Sequence, residues 1–182
     1  MKYKQAMLLS ALCAVISACD VPDTTMMNGA VTLKDGVVTL HAHDAPDAVI
    51  SSAGDLQIGD KVVSVTPSQR GLLMLYNHNV QDVHDVGVEM GKAGANMGAK
   101  ALKNALRSKS DAQQDQDANA GAAQLSQLGV KICVDQANIK TVQDQLAATL
   151  PAFKPYSTIV VAESVNSCKD DAKDDAKSDG KS

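Results

Sequence analysis

Apolar and polar residues alternate in short runs in the stretch that begins at residue 31. Val31–Leu33 and Val37–Leu40 flank the dipeptide Asp35-Gly36. This dipeptide favours a tight hairpin because Gly accepts a positive φ. Three further runs follow, and the Gly-Asp pairs between them are typical of turns. The pattern predicts an antiparallel β-meander whose later strands cover residues 48–50, 56–58 and 62–65.

The apolar pattern changes to a helical period at residue 66. Thr66 and Gln69 have the spacing of a capping box, and Pro67 suits the first position of a helix. Apolar residues then recur at spacings of three, four or seven, so we predict a long helix that runs to about Arg107. They are Leu72, Leu75, Tyr76, Val80, Val83, Met90 and Met97.

The C-terminal half contains shorter patterns. Residues 108–123 have no apolar stripe and predict a linker or a frayed helix. Apolar runs at 130–134 and 158–165 predict two strands around a helix over 139–150, whereas the charged tail 169–182 is too polar to bury and predicts disorder. We therefore expect an α+β fold with an N-terminal antiparallel β-meander, a long central Gly-rich helix and a C-terminal strand–helix–strand unit.

The N-terminus has the layout of an export signal. Lys2 and Lys4 precede an apolar run over residues 6–16, which is too short to span a bilayer comfortably. The run ends in Ile16-Ser17-Ala18-Cys19, which resembles the bacterial lipobox: an aliphatic residue, two small residues and a cysteine. That resemblance implies cleavage before Cys19 and attachment of acyl chains, such as palmitate, to it. An ordinary cleaved signal and an uncleaved apolar anchor are the alternatives.

This interpretation divides the chain into a signal peptide over 1–18, a tether over 19–29 and one domain over 30–168. It places the protein in the bacterial cell envelope, anchored by lipid and facing the periplasm. Asp20 resembles the signal for retention in the inner membrane, so we favour the inner membrane over the outer membrane.

The remaining cysteines predict a disulfide. Cys13 lies in the signal and Cys19 carries the lipid, which leaves Cys133 and Cys168 in an oxidising compartment. A redox or metal-binding pair is the alternative, but the Cys-x-x-Cys spacing of such sites is missing.

Charge and aromatic content exclude some classes of function. The chain has 17 basic and 21 acidic residues, and loss of Lys2 and Lys4 with the signal leaves 15 basic residues. An acidic chain is a poor partner for nucleic acid. The sequence has no Trp, one Phe and three Tyr, which argues against a site that stacks bases or sugars.

Glycines in the long predicted helix require an explanation. Gly87, Gly91, Gly94 and Gly98 form neighbouring rows of small residues, and each costs about 1 kcal/mol relative to Ala in a helix. Such rows let another helix approach closely, as in membranes. We favour the alternative that this helix packs tightly on the sheet or is broken near Gly87.

Two histidines suggest a further candidate metal site. His41 and His43 are predicted on one face of a strand, close to Asp44 and Asp47. No third ligand can be identified in the sequence, so we predict no metal, no cofactor and no catalytic residue.

One stretch of the chain resembles a known family. The segments Gly54–Lys61 and Thr66–Arg70, followed by Leu73 and Tyr76, resemble the YggN-type family of proteobacterial envelope proteins. The resemblance covers about residues 48–105 and implies an envelope location and a similar architecture. No activity is assigned to that family, so no functional residue is carried over.

These observations together predict a non-enzymatic, lipid-anchored envelope protein that binds other proteins or the membrane. The alternative is a periplasmic protein that binds a metal or a small ligand through His41 and His43.

Overall fold

The computed structural model describes residues 24–107, 111–168 and 170. Its N-terminal part is a six-stranded antiparallel sheet in which the strands follow one another in chain order. The α+β class and the β-meander are therefore confirmed. The strands are β1 (Thr24–Met26), β2 (Val31–Lys34), β3 (Val37–Leu40), β4 (Ala48–Ile50), β5 (Leu56–Ile58) and β6 (Lys61–Val63).

The start of the sheet corrects the predicted tether over 19–29. Thr24–Met26 pairs with Val31–Leu33, and a single 3-10 turn over Met27–Gly29 joins the two strands. Met26 and Met27 pack against the core, which explains why this polar stretch is part of the domain. The signal peptide and the rest of the predicted tether lie outside the described residues.

Two long antiparallel helices follow the sheet: α1 (Pro67–Leu106) and α2 (Asp111–Thr149). The predicted capping box is confirmed, since Gln69 N–H donates to Thr66 Oγ1 and Thr66 N–H donates to Gln69 Oε1. Gln69 Nε2 also donates to the carbonyl of Thr149 over 2.7 Å, so the cap joins the start of α1 to the end of α2.

The segment 108–123, predicted as a linker or a frayed helix, is helical over residues 111–123, and residues 108–110 lie outside the described residues. The first predicted C-terminal strand, over 130–134, is wrong, because these residues also belong to α2. The apolar run at 130–134 is part of a longer helical stripe that includes Leu128, Ile132 and Ile139. A short apolar run does not by itself distinguish a strand from a buried helix, and here the longer period decides the structure.

The second predicted C-terminal strand, over 158–165, is also wrong. Residues 157–160 form a turn and a bend, and residues 162–168 are helical. The fully buried side chain of Gln143 explains the difference, because it hydrogen-bonds the backbone that a strand would have used. Gln143 Nε2 donates to the carbonyls of Ser157 and Val160, and Val160 N–H donates to Gln143 Oε1.

One face of the sheet packs on the first part of α1 and the last part of α2, and a 3-10 segment (Pro151–Tyr156) closes this packing. We call this cluster the proximal core. Its buried members are Val31, Leu33, Val38, Leu40, Ala48, Ile50, Leu56, Leu73, Tyr76, Val80, Val83, Ile139, Val142, Leu146, Leu150, Phe153, Tyr156, Val160 and Val165.

The other ends of the two helices form a second region, which we call the distal hairpin: residues 86–107 and 111–128. A separate small cluster of Val86, Ala93 and Leu128 holds it together. The two long helices therefore belong to two regions with very different amounts of buried apolar surface.

Candidate interaction face

The four glycines of α1 lie on the open side of the distal hairpin. A Cβ atom added to Gly87, Gly91, Gly94 or Gly98 would meet no atom within 4 Å. The helix continues through Gly87, so the expectations of a break there and of tight packing on the sheet are both wrong. The physical reason is that the last residue of α1 in the proximal core is Val83.

Apolar residues of the same helix continue this open side. Leu102 is 65% exposed and Leu106 is 78% exposed, and Val88 is also exposed. These residues and the glycines recur every three or four positions, with neighbours at 87/88 and 94/95, which places them along one side of the helix. We call this surface the outer face; its members are Gly87, Val88, Gly91, Gly94, Ala95, Gly98, Leu102 and Leu106.

Charge is divided between the two helices of the distal hairpin. Residues 86–107 hold four basic residues and one acidic residue, a net charge of +3. Residues 111–128 hold three aspartates and no basic residue, a net charge of −3. The helix that carries the outer face is therefore basic, and the helix behind it is acidic. The basic residues are Lys92, Lys100, Lys103 and Arg107.

The two helices are in contact on the inner side of the distal hairpin. A Cβ atom at Gly121 would overlap the side chain of Met97, so this glycine leaves room for that side chain between the helices. Asn104 Nδ2 donates to Asp117 Oδ2 over 2.9 Å. A cavity of about 460 Å³ is lined by residues of both helices at the same level.

The outer face begins beside the first described residue of the chain. The hydroxyl of Thr24 and Nδ1 of His84 share a hydrogen bond of 2.8 Å. His84 lies four residues before Val88 and seven before Gly91, on the same side of α1. The edge strand β1 therefore meets α1 at the head of the outer face.

The two histidines proposed as ligands lie in a loop after β3, not on a strand. Nδ1 of His41 is 2.9 Å from Asp47 Oδ1, and its Nε2 is 3.3 Å from Thr32 Oγ1. His43 is paired with a different carboxylate, that of Asp44, at 3.0 Å. Both line an open cavity of about 510 Å³.

Neither a metal centre nor a membrane span is present in the parts of the chain that the structure describes. Over these residues, no group of three or more His, Cys, Asp or Glu side chains has the geometry to hold a metal ion. Among the same residues, no helix combines the length and apolar character needed to cross a bilayer.

The predicted disulfide is confirmed, and the predicted lipidation site is outside the described residues. Cys133 and Cys168 are bonded, with Cα atoms 5.5 Å apart. The bond attaches the C-terminal helical segment to the middle of α2. Cys19 lies before Thr24 and is not described.

A buried carboxylate between the helices was missed from the sequence. Asp135 is 7% exposed, and its Oδ2 has no hydrogen-bond partner within the described residues. Burial raises the pKa of Asp135, and the nearby charge of Asp82 raises it further, against smaller opposite effects of Lys131 and His78. The sequence signal that could have identified it is the position of Asp135, three residues after Ile132 of the apolar stripe.

Comparison with known proteins identifies no relatives. No protein-family model, no curated protein and no solved structure matches this chain. The resemblance of residues 48–105 to the YggN-type family stays a prediction.

Proposed function

We propose that this protein is a lipid-anchored protein of the bacterial cell envelope, facing the periplasm, that acts by binding rather than by catalysis. The observation that carries the binding role is the outer face of the distal hairpin. It is an apolar surface of about 27 Å, from Val88 to Leu106, that no described residue covers. Contiguous exposed apolar surface is a mark of interaction sites.

The anchor rests on the sequence Ile16-Ser17-Ala18-Cys19, and Asp20 favours the inner membrane. The confirmed Cys133–Cys168 disulfide supports an oxidising compartment, because such bonds are rare in the cytosol. The partners of this proposal are the membrane, through the lipid, and an envelope component, protein or lipid, that contacts the outer face.

Fractionation with intact mass measurement of the protein, beside a Cys19→Ser variant, tests the anchor. We expect a membrane-bound species that begins at Cys19 and carries acyl mass, and a variant that loses both. A soluble wild-type species cut at another position would contradict the proposal.

The cavity lined by His41 and His43 favours a second candidate function, binding of a metal or small polar ligand. The His41 ring already has a partner at each nitrogen, so a metal would have to displace Asp47 or Thr32. Titration with zinc or copper should raise the melting temperature of the protein if this site binds metal. The effect should disappear in a variant with His41→Ala and His43→Ala, and an unchanged melting temperature rejects this candidate.

A further inference from the structure

We propose that the outer face of α1 lies against the surface of the leaflet that holds the lipid anchor. The inference rests on the proposed lipid anchor and names the partner of the outer face as anionic lipid headgroups with the acyl boundary beneath them.

The chain between Cys19 and the sheet is short. Four residues separate Cys19 from Thr24, and the five Cα–Cα steps between them span at most about 18 Å. Thr24 is hydrogen-bonded to His84, at the head of the outer face. A lipid on Cys19 therefore holds the leaflet close to the start of a helix face that continues away from it for about 27 Å, from Val88 to Leu106.

The charge of the two helices favours the same arrangement. The helix that carries the outer face has a net charge of +3 over residues 86–107, and the helix behind it has −3 over 111–128. An anionic leaflet attracts the first helix and repels the second. This polarity selects one orientation of the hairpin, with α1 towards the lipid and α2 towards the periplasm.

The apolar residues of the outer face are mostly small. Gly and Ala dominate the outer face, so lipid contact buries little apolar surface per residue. Such a face binds membranes weakly by itself, but a short tether supplies a high effective concentration of lipid. The outer face can therefore dock on the leaflet without being a large hydrophobic patch, because the lipid on Cys19 already holds the domain close to the membrane.

The test uses a fluorophore whose emission depends on polarity, attached to single cysteines in the acylated full-length protein. Ala95→Cys reports on the outer face, and Ala123→Cys on the exposed side of α2 is the matched control. Cys133 and Cys168 are bonded and the anchor cysteine is acylated, so only the new thiol reacts. The vesicles contain phosphatidylethanolamine and phosphatidylglycerol.

We expect blue-shifted emission and roughly threefold weaker quenching by aqueous iodide at residue 95, and no change at residue 123, since only buried probes lose contact with water. The double variant Leu102→Glu with Leu106→Glu should remove this protection. The matched pair Val130→Glu with Val134→Glu, on exposed positions of α2, should leave it intact.

A second arm separates this inference from the anchor itself. A chain that begins at Asp20 and carries a hexahistidine tag is bound to vesicles with nickel-chelating lipid. Protection of residue 95 there supports the docking face, even if the native protein proves to lack acyl chains. Equal quenching at residues 95 and 123 in both arms would overturn the inference and leave the anchor standing. Protection of residue 95 without vesicles would also overturn it, because a second copy would then cover the face.

Discussion

Residues 67–85 and 86–106 belong to one uninterrupted helix, but they have different surroundings. The first part contributes Leu73, Tyr76, Val80 and Val83 to the proximal core, where the sheet and α2 cover them. The second part contributes Val86, Ala93 and the half-buried Met90 to a small cluster with Leu128. Secondary structure continues across the boundary, whereas tertiary packing does not.

This difference indicates that the two regions have different roles. A long helix needs tertiary packing for most of its stability, so the distal hairpin depends on the proximal core at its base. Regions with few buried apolar contacts open locally at low free-energy cost, and surfaces that meet partners are drawn from such regions. The proximal core supports the fold, and the distal hairpin presents a surface.

The largest expected effect on stability comes from replacing leucine by alanine at three positions that differ in burial. Leu146 is fully buried in the proximal core, Leu128 is 8% exposed in the distal cluster, and Leu102 is 65% exposed. Replacement of Leu146 by Ala should lower the free energy of unfolding by about 3–5 kcal/mol, and replacement of Leu128 by about 2 kcal/mol. Leu102→Ala should change it by less than about 0.5 kcal/mol. Urea unfolding measures all three, and equal losses at Leu146 and Leu128 would remove the distinction between the regions.

Removal of the disulfide is expected to act on the proximal core alone. The bond closes a loop with a sequence separation of 35 residues, and its loss in Cys133→Ser with Cys168→Ser should cost about 3–4 kcal/mol. Val160 and Val165 of the proximal core lie in the segment that the bond holds. Hydrogen exchange should therefore increase in that segment and stay unchanged in residues 86–107. Faster exchange in the distal hairpin would show that the two regions are coupled.

Replacement of the buried Asp135 should have a smaller effect on the free energy of unfolding, and this effect should depend on pH. Its pKa is raised in the folded protein, so the folded state binds a proton more readily than the unfolded chain does. The resulting stability is present below the unfolded pKa of about 4 and is lost as the pH rises through the folded pKa. Asp135→Asn removes this loss. The free energy of unfolding of the variant should therefore rise relative to wild type from pH 3 to 7, by less than about 1 kcal/mol in total.

Urea midpoints across this pH range measure the difference between the two proteins. Asp144→Asn is the matched control, because Asp144 is an exposed carboxylate of α2 paired with Lys140. A gain for Asp135→Asn that shrinks as the pH rises would contradict the role assigned to the buried carboxylate.

Local signals in the sequence predicted strands β2 to β6 and the start of α1 correctly, whereas β1 was missed. The Asp35-Gly36 turn adopts positive φ at both residues, and the Thr66 and Gln69 side chains form both bonds of the capping box. Each of these features depends on a few neighbouring residues. The Cys133–Cys168 bond followed from the pair of cysteines that is left once Cys13 is assigned to the signal and Cys19 to the lipid.

The remaining features depend on contacts between distant residues. Whether 158–165 forms a strand is decided by Gln143, which hydrogen-bonds that segment from another element. Spacing revealed the glycine rows of α1, but their open surroundings depend on where the sheet ends beneath the helix. The link between His84 and Thr24, 60 residues apart, had no local signal at all.

The most direct test of the account is the effect of glycine replacement on the local stability of the distal hairpin. If the outer face is open in the isolated domain, Gly94→Ala and Gly98→Ala should each slow hydrogen exchange in residues 86–107, with a gain of about 1 kcal/mol per glycine. Gly121→Ala should give a smaller gain, because the added methyl group must displace the side chain of Met97. Faster exchange after Gly94→Ala and Gly98→Ala would show that the fold itself covers this face, and would contradict its role as an interaction surface.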